Sequence, residues 1–474
     1  MRLYFMGIAG TAMGHAALLA REFGHEVVGS DTGVYPPMSD VLREAGIKVF
    51  EGYDHGRLGS LRPDLVVVGS VISRGNEEME WLLDTRALPY VSLPAFLSEA
   101  VLRWRRNLVI TGTHGKTTTS TLTAFLLAAV GTEPGWLIGG VPRDLAGGAA
   151  SGRPEAPFVI EGDEYDSAFF DKRSKFIHYL PWLVVINNLE FDHADIFRDL
   201  ADVQRTFTHL LKIIPRNGFV LLNGDDPNVA ALPPAPWTTT VFVGTGENCD
   251  LRIVNFTEDD RGARFDLHWQ GKRWNTVHWG LSGLFNARNA AMAALAAGLA
   301  IDPRNPTVLP LAILETFQGV RRRQEILRQD NQVMVVEDFG HHPTAMRETL
   351  EALRQRNPGR TIFACFEPRS NTARTRTFQA NLPVALALAD LVFIGPIHRG
   401  EKTPEAERLD LNAICTELNH AVDDTTKARH FATNQELLVA VLAASTETSN
   451  RPALVVFFTN GSFDGIITEF VEQA

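Results

Sequence analysis

The chain has 474 residues, room for about three domains, and its 45% apolar and 21% charged content is that of globular rather than disordered or fibrous material. Lys plus Arg is 45 and Asp plus Glu is 56, a net charge of −11 without a basic tract, which argues against nucleic acid as a partner. Cys249, Cys365 and Cys415 share no metal-ligand spacing and suit free thiols in a reducing compartment. The N-terminus shows no signal-peptide pattern, and the longest apolar run, 290–300, is too short to span a bilayer. A cytoplasmic location without a membrane partner is expected; the sequence leaves the oligomeric state open.

Apolar strands alternate with amphipathic helices in three successive segments, the pattern of α/β folds. Segment 1–106 holds strand candidates at 3–6, 26–29, 47–50 and 64–68 and closes on Arg103-Trp104-Arg105-Arg106, a candidate linker. Segment 107–320 has strands at 108–110, 158–160, 183–186 and 219–222. Polar–apolar alternation over 250–279 then suggests a β-rich insertion, and an Ala-rich helix covers about 286–299. Segment 321–474 has strands at 333–336, 362–366, 391–394 and 454–458. Pro343 there fits the first position of a helix with Met346, Leu350 and Leu353 on one face.

Two glycine turns sit between a strand and a helix. In the first, Gly7-Ile8-Ala9-Gly10-Thr11-Ala12-Met13-Gly14, alanines occupy the second and third glycine positions of the dinucleotide fingerprint. With Asp31 ending the next strand, it fits equally a structural tight turn or a loop for a nucleotide diphosphate. The second, Thr111-Gly112-Thr113-His114-Gly115-Lys116-Thr117-Thr118-Thr119, is a stronger signal. Its glycines let backbone N–H groups face phosphate oxygens, Lys116 suits β/γ-phosphate charge, and the Thr117 hydroxyl suits Mg²⁺. The match is to the short form Gly-x-x-Gly-Lys-Thr, because Ile110 stands where the longer pattern has glycine.

Glu161-Gly162-Asp163-Glu164-Tyr165-Asp166 places four carboxylates at a strand's carboxyl end, where ligands bind in open α/β sheets and where Mg²⁺ would relieve their repulsion. His193, in Asn188-Leu189-Glu190-Phe191-Asp192-His193, suits a second metal, the orientation of a carboxylate, or simply a hydrogen bond. His341-His342 lacks further ligands at zinc spacing, so Asp338 and its neighbours are read as a domain-junction loop.

With these motifs in this order, together with Asn286-Ala287-Arg288-Asn289, the chain resembles the Mur ligases of peptidoglycan metabolism over essentially its whole length. The resemblance implies a Rossmann-like UDP-sugar domain, a central P-loop ATPase domain and an α/β C-terminal domain for the incoming amine. It implies ATP and Mg²⁺ as cofactors, UDP-N-acetylmuramate as a substrate, and amide-bond formation through an acyl phosphate. The long signatures at 161–176 and 187–197, with Glu367-Pro368-Arg369-Ser370-Asn371-Thr372, are similar to the branch that accepts the tripeptide L-Ala-γ-D-Glu-meso-diaminopimelate. The branch that adds L-alanine is the alternative.

By this resemblance Lys116, Glu161 and His193 are the catalytic residues, with Thr117, Glu161 and His193 holding metal. ATP falls to Gly112, Thr113, His114, Gly115, Lys116, Thr117 and Thr118, with Asn289 at adenine, Arg322 at the phosphates and Asp338 at the ribose. The UDP-sugar falls to Gly7, Gly10, Thr11, Met13, Asp31 and Ser70. The acceptor falls to Arg369, Asn371, Thr372, Arg374 and Asn460. The first lysine after His193 is Lys212, too late for the carbamylated lysine of other branches, so carbamylation is not expected. An NAD-dependent dehydrogenase would leave the second glycine turn without a role, and a non-catalytic nucleotide switch would not need the first turn or the third segment.

Overall fold

The computed structural model describes residues 1–35, 38–420, 427–447 and 451–474. Three large sheets follow one another along the chain, with a two-stranded hairpin, Asp166–Ala168 and Asp171–Ser174, beside the second. The first has five parallel strands in the spatial order Lys48–Glu51, Glu26–Asp31, Arg2–Met6, Leu65–Val68 and Tyr90–Ser92. Its central strand is apolar on both faces, and Leu3, Tyr4, Phe5 and Met6 are all buried, as a strand covered by helices on both sides requires.

The second sheet has ten strands. Its parallel heart runs Thr239–Gly244, Phe219–Asn223, Pro181–Ile186, Asn107–Thr111, Phe158–Glu161 and Gly135–Leu137. The β-rich stretch is continuous with it: Leu251–Asp259, Gly262–Trp269 and Lys272–Trp279 form an antiparallel meander that extends one edge of the same sheet. Over the sheet, helix Lys116–Ala129 packs on helix Leu284–Ile301. The latter is the one helix among the described residues with the length and mean hydropathy to cross a bilayer, and 78% of it is buried inside the fold. Its alanines allow the close helix approach, and each Leu or Met buried there contributes about 1.5–3 kcal/mol.

The third sheet has six strands in the order Glu325–Gln329, Val333–Asp338, Ala453–Phe458, Thr361–Phe366, Leu391–Ile394 and Ala428–His430. The first strand is antiparallel and the rest are parallel. Helix Pro343–Arg356 buries Met346, Leu350 and Leu353, with Pro343 in its first turn and His342 as its N-cap.

Strands Asn107–Thr111, Phe158–Glu161 and Pro181–Ile186 run parallel, so their carboxyl ends open at one edge of the second sheet. Strand Val333–Asp338 brings its own carboxyl end to the same place, because Asp338 lines the cleft there with Lys116 and Glu161. The first domain reaches this cleft through helix Leu93–Leu97. Its Leu93, Phe96 and Leu97 share one apolar core with Phe176 and Tyr179 of the second segment.

Candidate active site

The second glycine turn forms the floor of a cleft of about 350 Å³. Gly112 adopts φ +127° and Gly115 φ +77°, backbone that favours glycine. A Cβ on Gly115 would lie 2.5 Å from Asn289 Oδ1, and one on Gly112 would lie 3.0 Å from the Asn188 amide. Helix Lys116–Ala129 starts without a side-chain cap, so its first-turn N–H groups and the positive end of its dipole are offered to an anion.

Charge converges on this turn. Lys116 Nζ donates to Gly112 O at 2.7 Å and to Glu164 Oε2 at 2.9 Å. Burial alone would lower its ammonium, but Glu164, Asp163 and Glu161 outweigh burial and keep it above its ordinary value. Thr117 Oγ1 donates to Glu161 Oε1 at 2.9 Å, and Glu161 Oε2 accepts from Gly139 N at 2.8 Å. His193 Nε2 meets Glu164 Oε1 at 3.0 Å. Burial would lower the His193 imidazolium; the hydrogen bond to Glu164 and its charge override burial, with Asp192 assisting, and raise it. Cations and carboxylates therefore alternate across the cleft, and Lys116, Glu164 and His193 are each stabilised in the charged form.

The third domain closes over this arrangement. Arg323 Nη2 donates to Thr117 Oγ1 at 3.2 Å, and burial lowers its guanidinium. Thr344 Oγ1 donates to Glu190 Oε1 at 2.7 Å, the Ala194 amide donates to Thr372 Oγ1 at 3.1 Å, and Asn371 Nδ2 donates to Asp195 Oδ2 at 2.8 Å. His114, Glu190 and His342 place one ligand atom each within 4.8 Å of one another. That donor set suits a metal, although Glu190 is already hydrogen-bonded to His114 and Thr344. Burial, then the neighbouring His114, pushes His342 down to about 4.

Beside the His193 loop lies a basic group in the third domain. Arg374 Nη2 donates to Asn371 Oδ1 at 2.6 Å and its Nη1 to His398 O at 3.4 Å, while Arg369 Nη1 lies 3.4 Å from His398 Nδ1. Arg369 packs so closely on Gly461 that a Cβ there would fall 2.3 Å from Arg369 Cδ. Asn460 Oδ1 is buried without a hydrogen-bond partner.

Matches to known proteins follow this layout. The Mur ligase family catalytic domain matches residues 2–105, the Mur ligase middle domain 110–297, and the Mur ligase glutamate ligase domain 322–459. A curated relative from Escherichia coli (strain K12), UDP-N-acetylmuramate–L-alanyl-γ-D-glutamyl-meso-2,6-diaminoheptandioate ligase, is 38% identical over 98% of this chain and 96% of its own length. The chain belongs to the Mur ligase family. The enzyme of the same name from Haemophilus influenzae is 35% identical over 99% of this chain and 98% of its own. The crystal structure of a murein peptide ligase from Psychrobacter arcticus 273-4 is similar with a TM-score of 0.71 and 34% identity, covering 100% of this chain and 98% of that one. Mur ligases are ATP-dependent amide-bond-forming enzymes of three α/β domains, and this chain is one of them.

Within this Mur ligase, the residues expected at a ligand have the following surroundings. Arg322 is turned away from the phosphate loop: its Nε donates to Glu337 Oε1 at 2.7 Å and its Nη2 to Thr459 O at 2.9 Å. Arg323 reaches Thr117 instead, because Arg322 (φ 62°) and Gln324 (φ 50°) both take left-handed backbone that swings alternate side chains to opposite sides. Met13 is 5% exposed and packs in the apolar core, so its side chain is not presented to a ligand. Asp31 braces the first glycine turn, accepting from the Ala9 amide at 2.9 Å and the Thr32 amide at 2.8 Å. Gly7 takes φ +82°, and Thr11 and Ser70 are exposed. Thr372 is 1% exposed and serves the contact to Ala194.

Asn289 lines the cleft, accepting from Thr119 Oγ1 at 3.1 Å. Asp338 is buried, accepting from the Gln324 and Gly340 amides at 2.8 and 2.7 Å; burial raises its carboxyl. Two groups that the structure brings to the phosphate loop had no place among the expected site residues, Glu164 and Arg323. Glu164 lies three residues after Glu161 in the acidic motif, and Arg323 adjoins Arg322 in the run of three arginines.

Proposed function

We propose that this chain joins UDP-N-acetylmuramate to the tripeptide L-Ala-γ-D-Glu-meso-diaminopimelate, with ATP converted to ADP and phosphate, in the cytoplasm. The observation that carries this reading is the near full-length likeness to two curated ligases of that name. The site is consistent with it in chemical detail. In the first step an oxygen of the lactyl carboxylate bonds to the γ-phosphorus of ATP, and the bond to the β–γ bridging oxygen breaks with its electrons leaving on ADP. In the second, the tripeptide amine bonds to the acyl carbon, the carbon–oxygen bond to phosphate breaks, and the amine proton is lost.

Lys116 and the helix N-terminus behind it would bind the β/γ-phosphates, Arg323 would meet the transferring group from the third domain, and Asn289 and Asp338 would hold the nucleoside. Thr117 Oγ1 and Glu161 Oε1, 2.9 Å apart beside the phosphate loop, are the hard oxygen donors that Mg²⁺ requires, so the residues fit that ion. Bound there, Mg²⁺ supplies charge neutralisation for phosphoryl transfer. His193 with Glu164 is the second candidate donor pair. Arg369, Arg374 and the unpartnered Asn460 carbonyl suit an acceptor that carries both carboxylates and amines. We place the divisions near 106/107 and 320/321, assigning the sugar nucleotide to the first domain, ATP to the second and the peptide to the third.

The test is phosphate release from purified enzyme. Release is expected only with ATP, UDP-N-acetylmuramate and the tripeptide together. Release that needs no sugar nucleotide, or none with the complete mixture, would overturn the reading.

A further inference from the structure

Three cationic lysine or arginine side chains line the cleft among the described residues: Lys116, Arg323 and Lys175. Lys116 is committed to the phosphate loop and Arg323 to Thr117. Lys175 stands apart from both and has no assignment. We propose that Lys175 is the residue that receives the lactyl carboxylate of the sugar nucleotide and so selects for a sugar that carries one; this rests on the UDP-sugar ligase reading above.

The placement comes from a tightly fastened backbone. Strands Asp166–Ala168 and Asp171–Ser174 form a hairpin directly after the acidic motif. Ser174 Oγ donates to Glu164 O at 2.6 Å, Ser167 Oγ to Arg173 O at 2.7 Å, and the Lys175 amide to Tyr165 O at 3.0 Å. These bonds return the chain to the cleft wall at Lys175. Its side chain is 14% exposed, and Nζ donates to Asp163 Oδ2 at 2.5 Å. The ammonium sits 5.8 Å over the Tyr165 ring, whose centroid is 4.2 Å from that of His193. Lys175 is thus separated from the His193–Glu164–Lys116 cluster by a single ring.

On its other side the turn Lys175–His178 packs against helix Leu93–Leu97 of the first domain, and Leu93, Leu97 and Ala12 line the same cleft. Lys175 therefore stands where a ligand docked on the first glycine turn passes toward the phosphate loop.

Charge makes a cation necessary at this point. Glu161, Asp163, Glu164 and Asp192 surround the path, and an arriving carboxylate meets like charge from each. Lys116, Arg323 and His193 already answer the phosphate side. An ammonium has three donors, and one is used by Asp163. The Lys175–Asp163 pair holds the ammonium oriented, since Asp163 Oδ1 itself accepts from the Tyr165 amide at 3.2 Å.

The alternative role, simple neutralisation of half-buried Asp163, makes a different prediction in a double variant. The experiment measures binding of UDP-N-acetylmuramate and of UDP-N-acetylglucosamine, the same sugar nucleotide without the lactyl group, by calorimetry. Wild-type enzyme is expected to prefer the former. Lys175→Met is expected to lose about 10–100-fold in affinity for UDP-N-acetylmuramate, the scale of one charge-assisted hydrogen bond, with UDP-N-acetylglucosamine changed less than about threefold. Lys175→Arg should retain most of the preference. Asp163→Asn/Lys175→Met removes both charges, so a folded double variant that still lacks the preference supports carboxylate binding. Recovery of the preference in the double variant, or its retention in Lys175→Met, would overturn the assignment of Lys175 alone. Failure of wild-type enzyme to bind either sugar nucleotide would instead overturn the ligase reading on which it rests.

Discussion

Gly7–Met13, after the first sheet's central strand, and Gly112–Lys116, after a strand inside the parallel part of the second sheet, share a backbone plan of strand, left-handed glycine and helix N-terminus. Their surroundings differ. The first turn is anchored from below by Asp31 and apolar packing, and the side chains it leaves at the surface are small and uncharged, such as Thr11. The second is ringed by Lys116, Glu161, Glu164, His193 and Arg323, all in contact with one another or with the loop. A neutral, preformed turn can dock a diphosphate through its amides; only a site with charges in place can stabilise charge that develops during phosphoryl transfer. On the function proposed above, two turns of one shape would carry binding at one and chemistry at the other.

The largest test of this contrast is Lys116→Ala. Ligation is expected to fall by about 10³-fold or more, roughly 4 kcal/mol of transition-state stabilisation, while calorimetric affinity for UDP-N-acetylmuramate stays within about threefold. Equal loss in both measurements would erase the division between the two turns.

A smaller effect is expected for Glu161→Gln, which keeps the shape and removes the charge beside Thr117. The turnover number should drop by about 10²-fold, and the Mg²⁺ concentration for half-maximal rate should rise at least about tenfold. An unchanged Mg²⁺ requirement would return Glu161 to a purely structural place as the partner of Thr117 and Gly139.

The smallest effect concerns stability, at the contact that closes the third domain on the second turn. His342 is held at about 4 in the folded chain against 6.5 when unfolded. Below pH 6.5 the unfolded chain takes up a proton that the folded chain refuses, so this residue's contribution is lost as pH falls from 6.5 toward 4. Between pH 6.5 and 4.5 the loss amounts to about 2 kcal/mol. His342→Asn keeps an N-cap side chain and removes the titration. Urea unfolding at pH 6.5 and 4.5 should therefore show a shallower decline for the variant. Parallel declines would show that His342 does not set the acid sensitivity of this junction.

Much of the site was legible because parallel strands announce themselves as apolar runs and deliver the residues at their carboxyl ends to one edge. Lys116, Glu161 and His193 each come after such a run; the structure links Lys116 to His193 through Glu164 and sets Glu161 against Thr117 of the same loop. Where the reading slipped, the cause was geometry without a sequence signature. Left-handed backbone at Arg322 and Gln324 turns Arg323, and not Arg322, toward Thr117, and nothing in a run of three arginines foretells that. Met13 belongs to a glycine motif by position and to the core by helical phase. Strands Tyr90–Ser92, Gly135–Leu137 and Ala428–His430 have three residues each, too few for period-2 alternation to show. Lys175 lay within the long signature at 161–176 but carried no role there; the hairpin's hydrogen bonds bring it to the cleft.

The central claim, that the enzyme ligates a peptide rather than a single amino acid, is tested most directly by competition. Enzyme, ATP, Mg²⁺ and UDP-N-acetylmuramate are supplied with equal concentrations of L-Ala-γ-D-Glu-meso-diaminopimelate and L-alanine, and the product masses are read by mass spectrometry. The predicted product is almost wholly the UDP-N-acetylmuramoyl tripeptide. Predominant UDP-N-acetylmuramoyl-L-alanine would contradict the account and reassign the basic group around Arg369 and Arg374.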